Sequence, residues 1–252
     1  MAQSSVIFLP GFMCDDRLFA PQIKYLSARG YRCEIGDLTG AASIERMASQ
    51  TLKRAPKHFA LIGLSMGAIV AFEMMRQAPE RVTHLALLNT TARADAAGAA
   101  RKQQLKRVSA GELDMVLRED LKPQYLAPAN RVPRILDVLD AMGRSLGEEV
   151  FVKQTMALSV RRDAFDVLEK ITCPSLVLAG AEDRVCPVDR HEEIVEGIAG
   201  ATLEVIPECG HISTLEAPDR VKEALDALLA RPSTIGSGRA CRPQLRVVHT
   251  SN

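Results

Sequence analysis

Residues 59–77 constrain the fold of this chain more than any other segment. A fully apolar run, 59–62, passes straight into Gly63-Leu64-Ser65-Met66-Gly67, and an apolar, helix-favouring run, 68–77, follows until Pro79. A short continuous apolar run reads as a strand buried on both faces, the usual state of a parallel sheet. G-x-S-x-G between a strand and a helix is the setting of a sharp, strained turn that holds its serine above a helix N-terminus. Glycine at 63 and 67 removes side chains that would crowd the turn. The helix end offers unpaired N–H groups and a favourable dipole to negative charge. The plainer reading is a Gly-rich strand–helix turn with an incidental serine.

The rest of the chain repeats the alternation. The apolar runs at 6–9 and 84–88, and the segments 31–35, 175–179 and 202–206, read as strands, with helical patterns at 15–29, 44–55 and about 218–231. Strands alternating with helices at this pitch predict an α/β fold, a mostly parallel sheet flanked by helices. From 93 to 162 the strand signal vanishes. Ser109 and Glu112 there read as a capping box, and Ile135, Leu136, Leu139 and Met142 share one helical face. The pattern predicts a core of residues 1–92 and 163–231 and a helical cap of 93–162. Ser213 and Glu216 read as a second capping box. Residues 232–252, rich in Ser, Thr, Gly, Pro and Arg, read as a loose tail with a weak strand hint at 245–248.

Composition removes several function classes. The 252 residues carry 32 Lys+Arg against 31 Asp+Glu, a net charge of +1, which gives no basic footprint for nucleic acid. The longest uncharged apolar-rich stretch, 59–72, falls short of the roughly 20 residues a membrane span needs. The opening MAQSSVIFLPGF has no basic region before its apolar run, so a cytoplasmic protein is expected. Six scattered cysteines without a C-x-x-C predict reduced thiols. Cys209 and His211 lack a second ligand pair for zinc, and no phosphate-cradling glycine motif occurs, so no metal or cofactor is expected.

Serine is a poor nucleophile without a base, and the base needs an orienting acid. Of five histidines, His58 and His84 fall at strand starts and read as structural. His191 reads as part of a solvated helix face, and His249 lies in the tail. His211, in Pro207-Glu-Cys-Gly-His after strand 202–206, is placed to reach the carboxyl edge of the sheet. Asp183, in Gly180-Ala-Glu-Asp-Arg after strand 175–179, is the matching acid at the edge where open α/β sheets place their sites. Glu182 is its main rival, Asp95 a weaker one, and Asp189 reads as surface. Two preorganised donors should receive an oxyanion: the N–H of Met66, and that of Phe12 in the loop Pro10-Gly11-Phe12-Met13. Pro10 has no N–H to give. Arg161 and Arg162, at the end of the cap, read as a solvated pair or as holders of an anionic substrate.

With these residues the chain resembles the α/β-hydrolase superfamily over about 4–231, through VIFLPGFMCDDRLFAPQ, GDLTGAASI, ALIGLSMGAIVAFEM, RRDAFDVLEKITCPSLVLAGAEDRVCPVD and LEVIPECGHISTLEAPDRV. The last three segments look most like small bacterial carboxylesterases and lactonases. The resemblance implies Ser65 as nucleophile, Asp183 as acid, His211 as base, and Phe12 and Met66 N–H as oxyanion hole. Two departures stand out. Pro10-Gly11 replaces the His-Gly of many relatives, and the antiparallel hairpin that often opens the fold has no room before residue 5. The implied function is a cofactor-free hydrolase of a small ester or lactone, monomeric or homodimeric. The apolar face at 135–142 suggests a mostly apolar substrate. Carbon–carbon cleavage, thioester hydrolysis, acyl transfer or ligand reception would use the same residues.

Overall fold

The structure, a computed structural model, describes residues 4–94, 97–233, 235 and 246–248, with the backbone alone at 122, 123 and 246–248. Seven parallel strands form one sheet in the order β2-β1-β3-β4-β5-β6-β7. They are Ser5–Leu9 (β1), Arg32–Ile35 (β2), Phe59–Leu64 (β3), Val82–Leu88 (β4), Ser175–Gly180 (β5), Thr202–Ile206 (β6) and Arg246–Val248 (β7). Alternate residues along β1, β3, β4 and β5 feed opposite faces. Ile7, Leu61 and Leu87 pack with Met47 and Phe72 of the Ile44–Arg54 and Met66–Gln77 helices. Phe8, Ile62 and Leu178 pack with Leu26, Val221 and Leu225 of the Ala20–Ala28 and Pro218–Leu229 helices. Both faces are therefore apolar, which is why the strands read as unbroken runs. Each fully buried residue of this size contributes about 1.5–3 kcal/mol relative to exposure.

Local chemistry sets the helix starts. Ser43 caps Ile44–Arg54 by accepting the Arg46 N–H at 3.3 Å, with Glu45 in the first turn and Lys53 and Arg54 in the last, as the dipole favours. Among the described residues every strand pairing is parallel, and the edge beyond β1 is β2, so no opening hairpin is present. The weak strand hint of the tail corresponds to β7, which pairs with β6 at Thr202, Leu203 and Glu204. The other residues of 234–252, except 235, lie outside the described set.

Between β4 and β5 lie the Gly98–Ser109 and Pro133–Ser159 helices and shorter turns. Two local readings fail here. Ser109 ends a helix instead of starting one, and Glu112 pairs with Arg107 at 2.8 Å, while Gly111 turns the chain with φ 85°. Ile135, Leu139 and Met142 are buried in the same apolar cluster as Phe8 and Leu26, with Leu136 against it. That face packs down onto the core and lines none of the large cavity described below. Helical periodicity reports that a face is buried but not what buries it.

Candidate active site

Three loops at the carboxyl edge of the sheet meet at one point. Ser65 follows β3 with φ 54° and ψ −116°, a strained conformation costing of order 1–3 kcal/mol. Its N–H donates to the Leu88 carbonyl at 2.9 Å, and its carbonyl accepts from Ala68 and Ile69 N–H and the Thr90 hydroxyl, at 3.0, 3.1 and 3.1 Å. These bonds over-determine the turn. Two glycines let the loops close on it. A Cβ on Gly67 would overlap the Leu9 carbonyl, so only glycine lets the helix start press against the end of β1. A Cβ on Gly180 would overlap the Gly210 carbonyl, so the same holds where the loop after β5 meets the loop after β6.

His211 Nε2 lies 2.9 Å from Ser65 Oγ, and His211 Nδ1 lies 2.8 Å from Asp183 Oδ2. A carboxylate only accepts, so Nδ1 carries the proton and Nε2 is left to accept from the serine hydroxyl. The His211 backbone N–H donates to the Tyr125 carbonyl, and its ring tilts against that of Tyr125 at 5.5 Å. Asp183 Oδ1 accepts from the Val185 and Cys186 N–H groups at 2.8 and 2.9 Å. Burial pushes the Asp183 carboxyl up. The facing imidazole, its hydrogen bond and those from Cys186 N–H and Asn89 outweigh this and hold it below the ordinary value. Glu182, the rival acid, is exposed, with its N–H on the Cys209 carbonyl. Asp95 lies outside the described residues. Burial raises the thiols of Cys186 and Cys209, so neither offers a competing thiolate.

The two predicted backbone donors border the same space. Phe12 and Met66 line the cavity that holds Ser65 and His211. Met13 N–H is taken by Gln154 Oε1 at 2.9 Å and Cys14 N–H by the Gly11 carbonyl at 3.1 Å. Neither Phe12 N–H nor Met66 N–H has an acceptor among the described residues. Both are therefore available to a developing oxyanion.

Three supporting residues escaped sequence reasoning. Asn89, with φ 46° just past β4, donates to Asp183 Oδ2 at 3.1 Å and to the Gly210 carbonyl at 3.0 Å, and accepts from Ser213 Oγ at 2.6 Å. Its only signal was a polar residue at the carboxyl end of a buried strand. Gln154, inside a helix, reaches down to fix Met13 and so the Phe12 loop. Glu216, read as half of a capping box with Ser213, instead accepts from Gly210, Ile212 and Ala127 N–H at 2.9, 3.0 and 2.9 Å and from Asn130 Nδ2 at 3.1 Å. It clamps the residues on both sides of His211 and ties them to the 127–130 turn.

The other histidines are not at the reacting point. His58 is exposed, His84 inside β4 bonds the Arg231 carbonyl at 2.8 Å, and His249 lies outside the described residues. His191 contradicts its reading as a solvated face. It is 0% exposed, its Nε2 accepts the Thr90 N–H at 2.9 Å, and its Nδ1 donates to the Pro187 carbonyl at 3.1 Å. The charged residues around it on the Val188–Gly197 helix masked one inward position. Burial pushes its pKa down to about 4. Below about pH 6.5 the unfolded chain takes up a proton that this folded site refuses. The stability it contributes is thus complete above 6.5 and lost as pH falls toward 4. Between pH 7 and 4.5 we expect the parent to lose about 2–3 kcal/mol more than His191→Gln, read from denaturant unfolding. Equal losses in the two proteins would refute this.

The cavity over Ser65 measures about 470 Å³. No group of three or more metal-ligating side chains occurs among the described residues, and none of their helices is long and apolar enough to cross a membrane.

Comparison with known proteins agrees with this architecture. BpoC of Mycobacterium tuberculosis, which carries a non-heme bromoperoxidase name, is 27% identical, covering 87% of this chain and 91% of its own. The 3-oxoadipate enol-lactonase 2 of Acinetobacter baylyi is 29% identical over 67% of this chain and 62% of its own. A thermophilic esterase from Thermogutta terrifontis superposes with a TM-score of 0.82 at 26% identity, covering 90% of each chain. The model of the alpha/beta hydrolase family matches residues 6–224, and this chain belongs to that family.

Proposed function

We propose that this hydrolase cleaves a small or medium carboxylic ester or lactone through a covalent acyl-enzyme on Ser65. The observation that carries the reading is the unbroken chain Ser65 Oγ–His211 Nε2 at 2.9 Å and His211 Nδ1–Asp183 Oδ2 at 2.8 Å. As Ser65 Oγ attacks the acyl carbon, its proton passes to His211 Nε2. Asp183 stays ionised and stabilises the imidazolium. The carbonyl oxygen becomes an oxyanion facing Phe12 and Met66 N–H, each such donor typically worth about 2.7–4 kcal/mol of barrier. The tetrahedral adduct collapses, and the departing alkoxide takes the proton from His211. Water then attacks the acyl-enzyme, again giving its proton to His211, and the carboxylic acid leaves with Ser65 restored. Esterase and enol-lactonase are names of two proteins this chain resembles, and both point to ester-type bonds.

The test is turnover of 4-nitrophenyl esters with two to eight acyl carbons, alongside simple lactones, by the parent and by Asp183→Asn. Asp183→Asn leaves the imidazole without its anionic partner and should lower kcat by about 10⁴-fold. Loss of less than tenfold would remove Asp183 from the mechanism. No turnover of any ester or lactone by the parent would remove the reaction class.

A further inference from the structure

The turn that carries Phe12 N–H is held in an unfavourable form by a side chain from a distant element. Residues 11–14 make a four-residue turn, closed by Cys14 N–H donating to the Gly11 carbonyl at 3.1 Å. Met13, its third residue, has φ 53°, while Phe12 lies outside the left-handed region. That combination is a type II turn, whose third position is normally glycine or asparagine. A methionine there favours the type I form, with φ at about −90° and the peptide between Phe12 and Met13 turned over. Gln154 Oε1 opposes that form. It accepts the Met13 N–H at 2.9 Å, and a turned-over peptide would aim the Phe12 carbonyl at it, acceptor against acceptor. Gln154 Nε2 donates to the Leu38 carbonyl at 3.3 Å, which fixes the orientation of the amide itself. Gln154 is 1% exposed and Met13 4%, so bulk water cannot stand in for this bond.

The Pro133–Ser159 helix that supplies Gln154 grips the turn a second time. Phe151, three residues earlier, sets its ring edge-on to that of Phe12 at 5.2 Å. Gly147, with φ 77°, breaks this helix. Before the break, Ile135, Leu139 and Met142 pack in the cluster of Phe8 and Leu26. After it, Phe151 and Leu158 pack in the cluster of Phe12 and Met13. Gln154 lines none of the cavity over Ser65, so it acts through the loop and not on the substrate. Resting on the acyl-enzyme reading above, in which Phe12 N–H receives the oxyanion, we propose that Gln154 is a positioning residue for that reaction. Its amide oxygen selects the turn that aims Phe12 N–H, and the oxyanion hole is complete only while residues 148–159 are seated on the loop.

A pair of ketones separates this role from a purely structural one. With 1,1,1-trifluorooctan-2-one, Ser65 Oγ bonds the carbonyl carbon, its proton passes to His211, and the ketone oxygen becomes the oxyanion. Octan-2-one occupies the same space without forming that adduct. The parent should bind the fluorinated ketone at least about a hundredfold more tightly. In Gln154→Met, which keeps the length and loses the acceptor, that advantage should shrink by about 30-fold or more. Octan-2-one affinity should stay within about threefold, and kcat toward 4-nitrophenyl butyrate should fall by about 10²-fold with KM little changed. Adding Met13→Gly should restore kcat by about fivefold or more, because glycine takes a positive φ freely, although losing a buried side chain lowers thermal stability further. Gln154→Asn, one carbon short of the Met13 N–H, gives the same comparison if Gln154→Met does not fold. A kcat within threefold of the parent, equal weakening of both ketones, or no recovery with Met13→Gly overturns the proposal and leaves the hydrolase standing. A parent that binds the two ketones equally, and is not labelled on Ser65 by a phosphonate, removes the acyl-enzyme reading and this proposal with it.

Discussion

Ser65→Ala is expected to lower kcat/KM toward an activated nitrophenyl ester by about 10⁴-fold or more, while changing thermal stability by only a few degrees. The two halves of this expectation come from the same bond. The Ser65 hydroxyl makes one side-chain contact, 2.9 Å to His211 Nε2, worth about 1 kcal/mol to folding. Removing it deletes the atom that would bond to the substrate. His211→Ala is expected to cost about as much, because proton transfer and attack act as a unit and their losses do not add. The double variant should therefore be no slower than either single one by more than about tenfold. A Ser65→Ala protein within tenfold of the parent would end the assignment.

Glu216→Ala is expected to destabilise the protein by about 3–5 kcal/mol and lower kcat by about 10²-fold. One carboxylate accepts four hydrogen bonds, three from backbone N–H groups at 127, 210 and 212. Bonds to a charged acceptor contribute about 1.5–3 kcal/mol each, though some orphaned donors will find water. The activity loss follows from geometry, since Gly210 and Ile212 flank His211. A shift of about 1 Å in the imidazole is enough for a hundredfold effect. Glu216→Gln keeps one acceptor oxygen and the shape, so it should recover about half of the stability. Denaturant unfolding measured beside kcat checks both. Full activity in a destabilised Glu216→Ala protein would mean that the clamp supports folding and not the imidazole.

The frame of this site was legible in the sequence because its signals are local. A strand, a serine turn and a helix are contiguous, and Gly67 is needed because the helix start touches Leu9. His211 and Asp183 were readable as polar residues one short loop past a buried strand, where topology alone puts them on one edge. The supporting shell was not readable, because its contacts join distant segments. Gln154 meets Met13 across 141 positions, and Asn89 meets Asp183 across 94. His191 was misplaced for a related reason. It sits among Asp, Arg and Glu, and only the third dimension reveals that one position of that charged helix points at Thr90. The apolar face at 135–142 was seen correctly as buried but assigned to the wrong neighbour, for it packs onto the core and not over the cavity.

Covalent labelling with a fluorophosphonate, followed by intact-mass and peptide mass measurement, tests the nucleophile most directly. One phosphonyl group per chain is expected, located on Ser65, with ester turnover lost in step with labelling. His211→Ala should label at least a hundredfold more slowly. Ester turnover that continues in fully labelled protein, or a label carried by any residue other than Ser65, would contradict the assignment.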